Sequence, residues 1–402
     1  MTAISFVSDI RSSSNVNAAT FGQPIYINNL ERFTRMNKIS ATRSTRLWAK
    51  TNEAEARQRL AAFWAGSSLG RPALAVTVRR QDVAPLEWPG PELDPVEREQ
   101  SVEWACFQAE AELAQTLYLA EAMPGFFPFR GAGLTLVAEL AGGQYELTSD
   151  SAWIRTIEDI YDRPLPRFDP QHPTQRFLEE CIRAMARVIE TRGFVAPPSY
   201  LDGLTTLSKF RGTEQLCLDL IERPEDVRAW SDALTSIYIE SFEQFYRLVA
   251  SLGYGETASW LQAPAPGRVE AVQCDFGMTL SPAMFERFAL PDLARLTEYL
   301  DFSLYHLDGV AQMRFLDLLR TLPHLNGIQW NPEPPMNPPT RWIDAFREIR
   351  RRNFNLFVWT ESVEEAVTIT REIGPDGLLI VLPQFASVDE AEAAIERIVK
   401  VC

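Results

Sequence analysis

The 402-residue sequence is poor in histidine and cysteine, and it has no long apolar run. None of its five cysteines has the C-x-x-C spacing of a zinc finger or a redox motif. Their odd number and scattered positions predict reduced thiols in a cytosol-like compartment rather than a disulfide framework. No apolar run approaches the roughly 18 residues of a membrane span, so we expect a protein without transmembrane segments.

Basic residues are outnumbered by acidic ones. Lys and Arg total 39 against 54 Asp and Glu, which gives a formal net charge of −15. A surface this negative repels phosphate backbones and anionic lipids, so we expect neither nucleic acid nor a membrane surface as partner. Hydrophobic residues make up 46% of the chain, a content that supports a large buried core and excludes a disordered protein.

The N-terminal segment differs in composition from the rest of the chain. The first fifty residues hold seven basic and two acidic residues and are rich in Ser, Thr and Asn. Such a segment is typical of an organelle transit peptide, and also of a disordered tail. We therefore assign residues 1–45 to a flexible or targeting segment and residues 46–402 to a single domain. The expected location is the cytoplasm, or an organelle matrix if the segment is a transit peptide.

The first part of the domain has a mainly helical pattern. Asn52 has the sequence context of an N-cap with a capping box and predicts a helix over 53–64. Apolar residues at helical spacing predict further helices over 96–122 and 177–191, whereas the apolar run 73–78 predicts a strand. We interpret these helices as N-terminal additions to the main fold.

After residue 190, short apolar runs alternate with helical segments. Parallel strands are joined in this way, through right-handed crossovers that contain a helix. Six or seven such units and the strand at 73–78 approach the eight of a closed (β/α)8 TIM barrel, which we predict as the α/β fold. The alternative, an open doubly wound sheet, lacks support because no strand is followed by a G-x-G-x-x-G or P-loop motif. The other predicted strands are 194–201, 258–261, 269–273, 302–305, 327–328, 355–358 and 378–382.

Catalytic residues of such barrels lie at the carboxyl ends of the strands, where the loops converge on one pocket. His306 and Asp308 are two residues apart in a predicted strand, so both side chains point to the same face. A histidine and a carboxylate on one face can bind a divalent metal or form an acid–base pair. The alternative is that Asp308 caps the next helix and orients a structural His306. The candidates at the strand ends are Asp202, Asp275, His306, Asp308, Gln329, Trp330, Trp359, Glu361 and Gln384.

Neighbouring residues are expected to have different roles. Asp275 points into the pocket, whereas the adjacent Cys274 faces the opposite way and is interpreted as a core thiol. Ser281 precedes a proline and has the pattern of a helix N-cap. Away from the strand ends, Arg211 offers a planar fork for a carboxylate or phosphate, and Trp153 offers a ring for a planar ligand. The alternatives are a surface arginine and a core tryptophan.

Three segments carry a more specific pattern. They are Asp-Phe-Gly-Met-Thr-Leu-Ser-Pro-Ala-Met-Phe-Glu-Arg-Phe-Ala-Leu-Pro at 275–291, Tyr-His-Leu-Asp-Gly at 305–309 and Leu-Asn-Gly-Ile-Gln-Trp at 325–330. In order and spacing they resemble the uroporphyrinogen decarboxylase superfamily, which also holds corrinoid-linked methyltransferases and is related to cobalamin-independent methionine synthase. The resemblance covers roughly residues 50–400. It implies a (β/α)8 barrel and a divergent branch with His-Leu-Asp-Gly at the strand end.

The sequence also departs from the superfamily pattern. The methyltransferases usually carry His-x-Cys on this strand and a later cysteine, and these residues bind a zinc ion that activates a thiol. Here the second position is Asp308, and the late strand end at 382–384 reads Leu-Pro-Gln. His306, Asp308 and Glu361 are nevertheless nitrogen and oxygen donors for a divalent metal, zinc or a harder ion. The decarboxylases carry an N-terminal arginine-rich motif that Arg79-Arg80 does not reproduce.

The leading hypothesis is a methyl (one-carbon) transferase that acts on a small polar substrate. His306 and Asp308 would be metal ligands with Glu361, or an acid–base set with Asp275, and a corrinoid protein or a pterin would carry the methyl group. One alternative is a cofactor-free decarboxylase of an aromatic or pyrrole-like carboxylate; the other is a non-catalytic binding barrel. A homodimer is left open. The expected substrate-binding residues are Asp202, Arg211, Trp153, Tyr305, Gln329, Trp330 and Trp359.

Overall fold

The computed structural model describes residues 50, 52–128, 135–147, 152–331 and 338–402. All of them belong to one unit, Lys50–Cys402. The predicted N-terminal segment 1–45 lies outside the described residues. No helix within the described ranges has the length and apolarity that crossing a bilayer requires.

Short strands are spread along the whole of the described chain, and they are numbered here in chain order. They are β1 (Ala73–Arg79), β2 (Thr116–Ala120), β3 (Gly125–Phe126), β4 (Tyr145–Leu147), β5 (Ala152–Ile154), β6 (Phe194–Val195), β7 (Glu256–Thr257), β8 (Ala265–Pro266), β9 (Val269–Gln273), β10 (Phe302–Asp308), β11 (Leu325–Asn331), β12 (Asn355–Trp359) and β13 (Leu378–Val381).

Helices separate most of these strands. The α-helices are α1 (Glu53–Trp64), α2 (Pro95–Glu99), α3 (Val102–Gln115), α4 (Leu136–Leu140), α5 (Pro173–Ile189), α6 (Gly203–Arg211), α7 (Thr213–Glu222), α8 (Pro224–Ser251), α9 (Pro282–Phe288), α10 (Leu290–Tyr299), α11 (Leu316–Leu319), α12 (Ile343–Arg351), α13 (Val363–Ile373) and α14 (Val388–Val399). Short 3-10 helices span Ile160–Asp162, Asp275–Thr279, Val310–Phe315 and Pro339–Trp342.

A seven-stranded sheet dominates the architecture, with the order β2-β1-β13-β12-β11-β10-β9. All neighbouring strands in it are parallel except β1 and β2, which are antiparallel. A separate parallel pair consists of β3 and β6. The predicted α/β class with a mainly parallel sheet and helical connections is therefore confirmed.

The predicted closure of the barrel is not visible in the described hydrogen bonds, which leave β2 and β9 as the sheet edges. One core cluster nevertheless joins side chains from β1, β9, β10, β12 and β13, and Phe194 of the separate β6 belongs to it. We call the face that carries Leu304, Phe357 and Leu379 of this cluster the interior face. The sheet and the β3–β6 pair thus share one apolar core, an arrangement compatible with a TIM-like barrel.

The helix α1 covers the amino end of this interior. Its bounds are those predicted, and Leu60, Phe63 and Trp64 pack into the core cluster. Asn355, the first residue of β12, donates from Nδ2 to the carbonyl of Phe63 at 2.7 Å. Because α1 packs against the amino end, we expect substrate to approach from the carboxyl ends of the strands. The predicted cap is wrong, since the Asn52 side chain caps no helix.

The predicted helix over 96–122 is interrupted. The helix α3 ends at Gln115, and the chain continues directly into β2, which pairs with β1. The alternating burial of Thr116–Ala120 fits a strand, and pairing with β1 satisfies its backbone groups. The predicted strand 258–261 is also wrong, because these residues form the turn after β7, which pairs with β8.

Candidate active site

Polar residues occupy the interior face at the carboxyl ends of β9, β10 and β11. His306 lies opposite Gln273 on one neighbouring strand and opposite Gln329 on the other. Leu304, two residues before His306 on β10, belongs to the core cluster. Since side chains alternate along a strand, His306 points to the same interior face, and its two partners form one polar row with it.

A second polar row lies one step closer to the carboxyl end. Asp308 and Asn331 are register partners, and Asn331 Nδ2 donates to Asp308 Oδ1 at 2.8 Å. Gln312 Nε2 donates to the backbone carbonyl of Asp308 at 2.8 Å. The 3-10 helix Val310–Phe315 begins without a side-chain cap. The alternative interpretation of Asp308 as a helix cap is therefore wrong, and its carboxylate is held by an amide from the next strand.

The Gln329 amide sets the tautomer of His306. Gln329 Nε2 donates to the backbone carbonyl of Trp330 at 2.8 Å, so its Oε1 is the atom that faces His306 Nδ1. An amide oxygen only accepts hydrogen bonds. His306 must therefore carry its proton on Nδ1 when it is neutral, and Nε2 keeps a free lone pair. That arrangement is suited to proton abstraction.

Two tryptophans pack beside the polar rows: Trp260 contacts His306, and Trp359 contacts Trp260. The Trp260 ring lies 5.2 Å from the His306 ring between centroids, with an interplanar angle of 78°. The Trp359 ring lies 5.9 Å from that of Trp260, with an angle of 27°. Both tryptophans are partly buried and pack against the core cluster. The partly buried imidazole therefore packs against an aromatic wall on the Trp260 side.

Asp275 lies two residues after the end of β9, at the start of a 3-10 helix, and is the least satisfied carboxylate of the site. Its Oδ1 is buried and has no hydrogen-bond partner among the described residues. Burial raises the pKa of Asp275, and the neighbouring charge of Asp308 raises it further, whereas His306 and Lys209 lower it. The carboxyl group therefore lies within electrostatic range of both His306 and Asp308. We refer to His306, Gln329, Asp275, Asp308, Trp260 and Trp359 together as the strand-end site.

Comparison with known proteins is informative about the fold alone. No family model and no curated protein matches the sequence. Among solved structures, a methyltransferase from Methanosarcina mazei is similar, with a TM-score of 0.57 and 14% sequence identity. The match covers 86% of this chain and 98% of that chain. The two chains share a fold.

Cys274 and Asp202 are buried beside the strand-end site. Cys274 is 1% exposed and burial raises the pKa of its thiol, which confirms the predicted core position. Asp202 caps α6, since its Oδ1 accepts from the Thr205 amide at 2.9 Å. Burial raises the pKa of Asp202 to about 7. Asp202 is 3% exposed and its Oδ1 is used by the cap, whereas its Oδ2 is buried without a hydrogen-bond partner among the described residues. Its contact with substrate stays a prediction.

Arg211 and Trp153 lie elsewhere, contrary to prediction. The Arg211 guanidinium binds Asp219 Oδ2 at 2.5 Å and the carbonyl of Glu158 at 2.7 Å. Its donors are thus committed to protein groups at the end of α6. Trp153 belongs to the β4–β5 hairpin and is 66% exposed, so it does not wall a pocket within the described structure.

Tyr305 and Trp330 point away from the interior face, because each directly neighbours an interior residue on its strand. Tyr305 is fully buried and its hydroxyl donates to Gln312 Oε1 at 2.5 Å. Trp330 packs edge-on against Phe346 of α12, with ring centroids 5.2 Å apart. Both side chains belong to the layer between sheet and helices, so neither is the predicted substrate contact. The loop after Trp330, at 332–337, lies outside the described residues.

The predicted metal ligands are not assembled. Within the described residues, no group of three His, Cys, Asp or Glu side chains is arranged to hold a metal ion. Glu361 is exposed just before α13, and its amide nitrogen donates to Glu365 Oε2 at 2.8 Å. His306 and Asp308 remain as one nitrogen and one oxygen donor on the interior face. The donor set present does not fit a three-ligand or thiolate-rich zinc site.

Proposed function

We propose that this protein is a methyl (one-carbon) transferase of the uroporphyrinogen decarboxylase-like superfamily, with its chemistry at the strand-end site of a closed (β/α)8 barrel. The observation that carries the proposal is the contact between His306 Nδ1 and Gln329 Oε1 on the interior face, which leaves the Nε2 lone pair of the neutral ring for a substrate, beside two carboxylates. The shared fold with a methyltransferase from Methanosarcina mazei supports this class of reaction. The methyl carrier would be a corrinoid protein or a pterin, and the acceptor a small polar molecule.

The strand-end site can supply the proton transfer that methylation requires. An acceptor with an N–H, O–H or S–H group becomes a better nucleophile when His306 Nε2 takes its proton. The imidazolium formed is stabilised by the carboxylates of Asp275 and Asp308, while Gln329 keeps the ring in place. Because the donors do not fit a metal centre, we derive no step that passes through a metal ion.

A cofactor-free decarboxylase is the second candidate, and Arg79 is the observation that favours it. Arg79 is the last residue of β1, six positions after Ala73 of the core cluster, so alternation places it on the interior face. Its guanidinium is exposed and forms no ion pair with a described residue. Arg79 could therefore hold a substrate carboxylate. In that reaction Asp275 would stabilise a protonated ring.

A binding barrel without catalysis is less well supported. That alternative predicts strand-end carboxylates that are neutralised by nearby arginines. Among the ion pairs of the described residues, neither Asp275 nor Asp308 has an arginine partner. The carboxylates thus remain available to a substrate or to His306.

The test compares two products. Purified protein is incubated with a corrinoid protein or pterin carrying a ¹⁴C-methyl group and a panel of small thiols and amines, and separately with aromatic and pyrrole carboxylates. We expect ¹⁴C in an acceptor and no release of CO2. Release of CO2 that Arg79→Met abolishes would instead establish the decarboxylase. Metal content is measured in parallel, and we expect it to be the same for His306→Ala and the wild type.

A further inference from the structure

We propose that the substrate carries an alkylated ammonium group, which binds at the Trp260–Trp359 pair with an N–H directed to Asp275. This inference rests on the proposed function in that it names the substrate class of the same site. It uses Trp260, which the sequence did not single out, and the unsatisfied oxygen of Asp275.

The aromatic part of the argument is the indole pair. Trp260 and Trp359 are nearly parallel and adjacent, and both are only partly buried. The face of an indole ring is electron-rich and attracts a cation within about 6 Å of its centroid. Methyl groups on a cationic nitrogen also pack well against such a wall, because they bury apolar surface without losing the charge attraction.

The carboxylate part of the argument is Asp275 Oδ1. A buried oxygen without a donor is costly, and most buried polar atoms in proteins have a partner. Lys209 is the nearby lysine that acts on Asp275, and its own side chain is exposed. An ammonium N–H of a ligand would supply the missing donor and the opposite charge together. Asp308 adds a second negative charge, and its hydrogen-bond partner Asn331 is neutral.

The same features disfavour other ligand classes. An anionic ligand at this position would face two carboxylates, and like charges repel strongly where water is excluded. A neutral apolar ligand of equal shape would contact the indoles but leave Asp275 Oδ1 without a partner. Selectivity for a cation over its neutral isostere is therefore the measurable signature of this arrangement.

Isothermal titration calorimetry on the full chain, without a methyl donor, tests this inference. The probes are N,N-dimethylethanolamine, which is cationic with one N–H at neutral pH, choline, which lacks the N–H, and neutral 3,3-dimethylbutan-1-ol. We expect the first probe to bind at least about tenfold more tightly than the neutral one, with choline between them. Equal affinity for cationic and neutral probes, or no measurable binding of any of them, would overturn the inference.

Variants locate the binding to the proposed residues. Asp275→Asn keeps the shape of the side chain and is expected to abolish the preference for the cation. Trp359→Leu should weaken binding of both cations about fivefold or more, whereas Trp153→Leu, a change at an exposed position, should leave it unchanged. If Trp359→Leu does not fold, as judged by circular dichroism, the Asp275→Asn result decides alone. Unchanged cation preference in Asp275→Asn would contradict the inference.

The two proposals fail in different ways. Methyl transfer to acceptors without any binding of the cationic probes would reject the substrate class and leave the proposed reaction standing. Cation-selective binding that requires Asp275, without methyl transfer to any acceptor, would reject the reaction and leave the substrate class standing.

Discussion

Gln329 holds the imidazole of His306 in a single tautomer. The amide nitrogen of Gln329 is committed to the Trp330 carbonyl, so its oxygen accepts from His306 Nδ1. The two residues are register partners on adjacent parallel strands, which makes their relative position a property of the sheet rather than of a loop. A free Nε2 lone pair on the interior face follows from this pairing.

Replacement of Gln329 should allow neutral His306 to adopt both of its tautomers. In Gln329→Leu the Nδ1–H loses its acceptor, so we expect a mixture of the two neutral tautomers in place of one. ¹⁵N NMR of the histidine side chains reports this directly, because protonated and unprotonated ring nitrogens differ widely in chemical shift. The His306 signals are assigned by their loss in His306→Ala. If the wild type already shows the mixture, the proposed role of Gln329 is incorrect.

Glu270 should make folding stability depend on pH. Its side chain is buried on β9, and burial raises the pKa of Glu270 from 4.5 to about 8. Between those values the folded protein keeps a proton that the unfolded chain has released. The free energy of unfolding should therefore fall by about 1.4 kcal/mol per pH unit across this window because of this group.

The matched variant for this prediction is Glu270→Gln, which retains an oxygen to accept from the Ala271 amide. Urea unfolding of both proteins from pH 5 to pH 8 should give a flatter dependence for the variant. Asp202 and Asp292, with pKa values raised to about 7 and about 6, add slopes of the same sign in both proteins. Parallel curves for the two proteins would show that Glu270 is not protonated in the folded state.

Arg211 should contribute to stability rather than to substrate binding. Its side chain is 14% exposed and that of its partner Asp219 is 2% exposed, so Arg211→Met leaves a buried carboxylate without its cation. We expect a loss of about 3 kcal/mol in unfolding free energy. The control is Arg155→Met, whose ion pair with Glu146 is more than half exposed on both sides; its loss should stay below about 1 kcal/mol. Normal stability with weakened substrate binding in Arg211→Met would restore the sequence-based assignment.

Much of the fold was predictable because the strands after residue 190 are short, apolar and separated by helices. The bounds of the strand Val269–Gln273 and of the helix Glu53–Trp64 agree with the sequence pattern. The strand Thr116–Ala120 was not predictable, because Ala114, Leu117 and Tyr118 have a helical spacing, and the alternation of the buried residues 116, 118 and 120 is too short to override it. What decides between them is the pairing with β1, a contact about forty residues away in sequence.

The site was predicted only in part. His306, Asp308 and Asp275 lie together as expected, whereas Tyr305 and Trp330 could have been excluded by strand alternation, since each adjoins an interior residue. Trp260 was missed because its run had the pattern of a strand and it lies in a turn. Its position beside His306 depends on how the chain returns to β9, and no local pattern carries that information.

The rate of a single methyl-transfer turnover in His306→Ala tests the account most directly. The matched control is His324→Gln. His324 lies just before the amino end of β11, where its Nδ1 forms a hydrogen bond with the Leu300 carbonyl, and it is remote from the strand-end site at the carboxyl ends. Loss of a general base slows a reaction by about 100-fold or more, so we predict that slowing for His306→Ala and a change within about twofold for His324→Gln. A His306→Ala protein that is folded and transfers methyl groups at the wild-type rate would contradict the central claim.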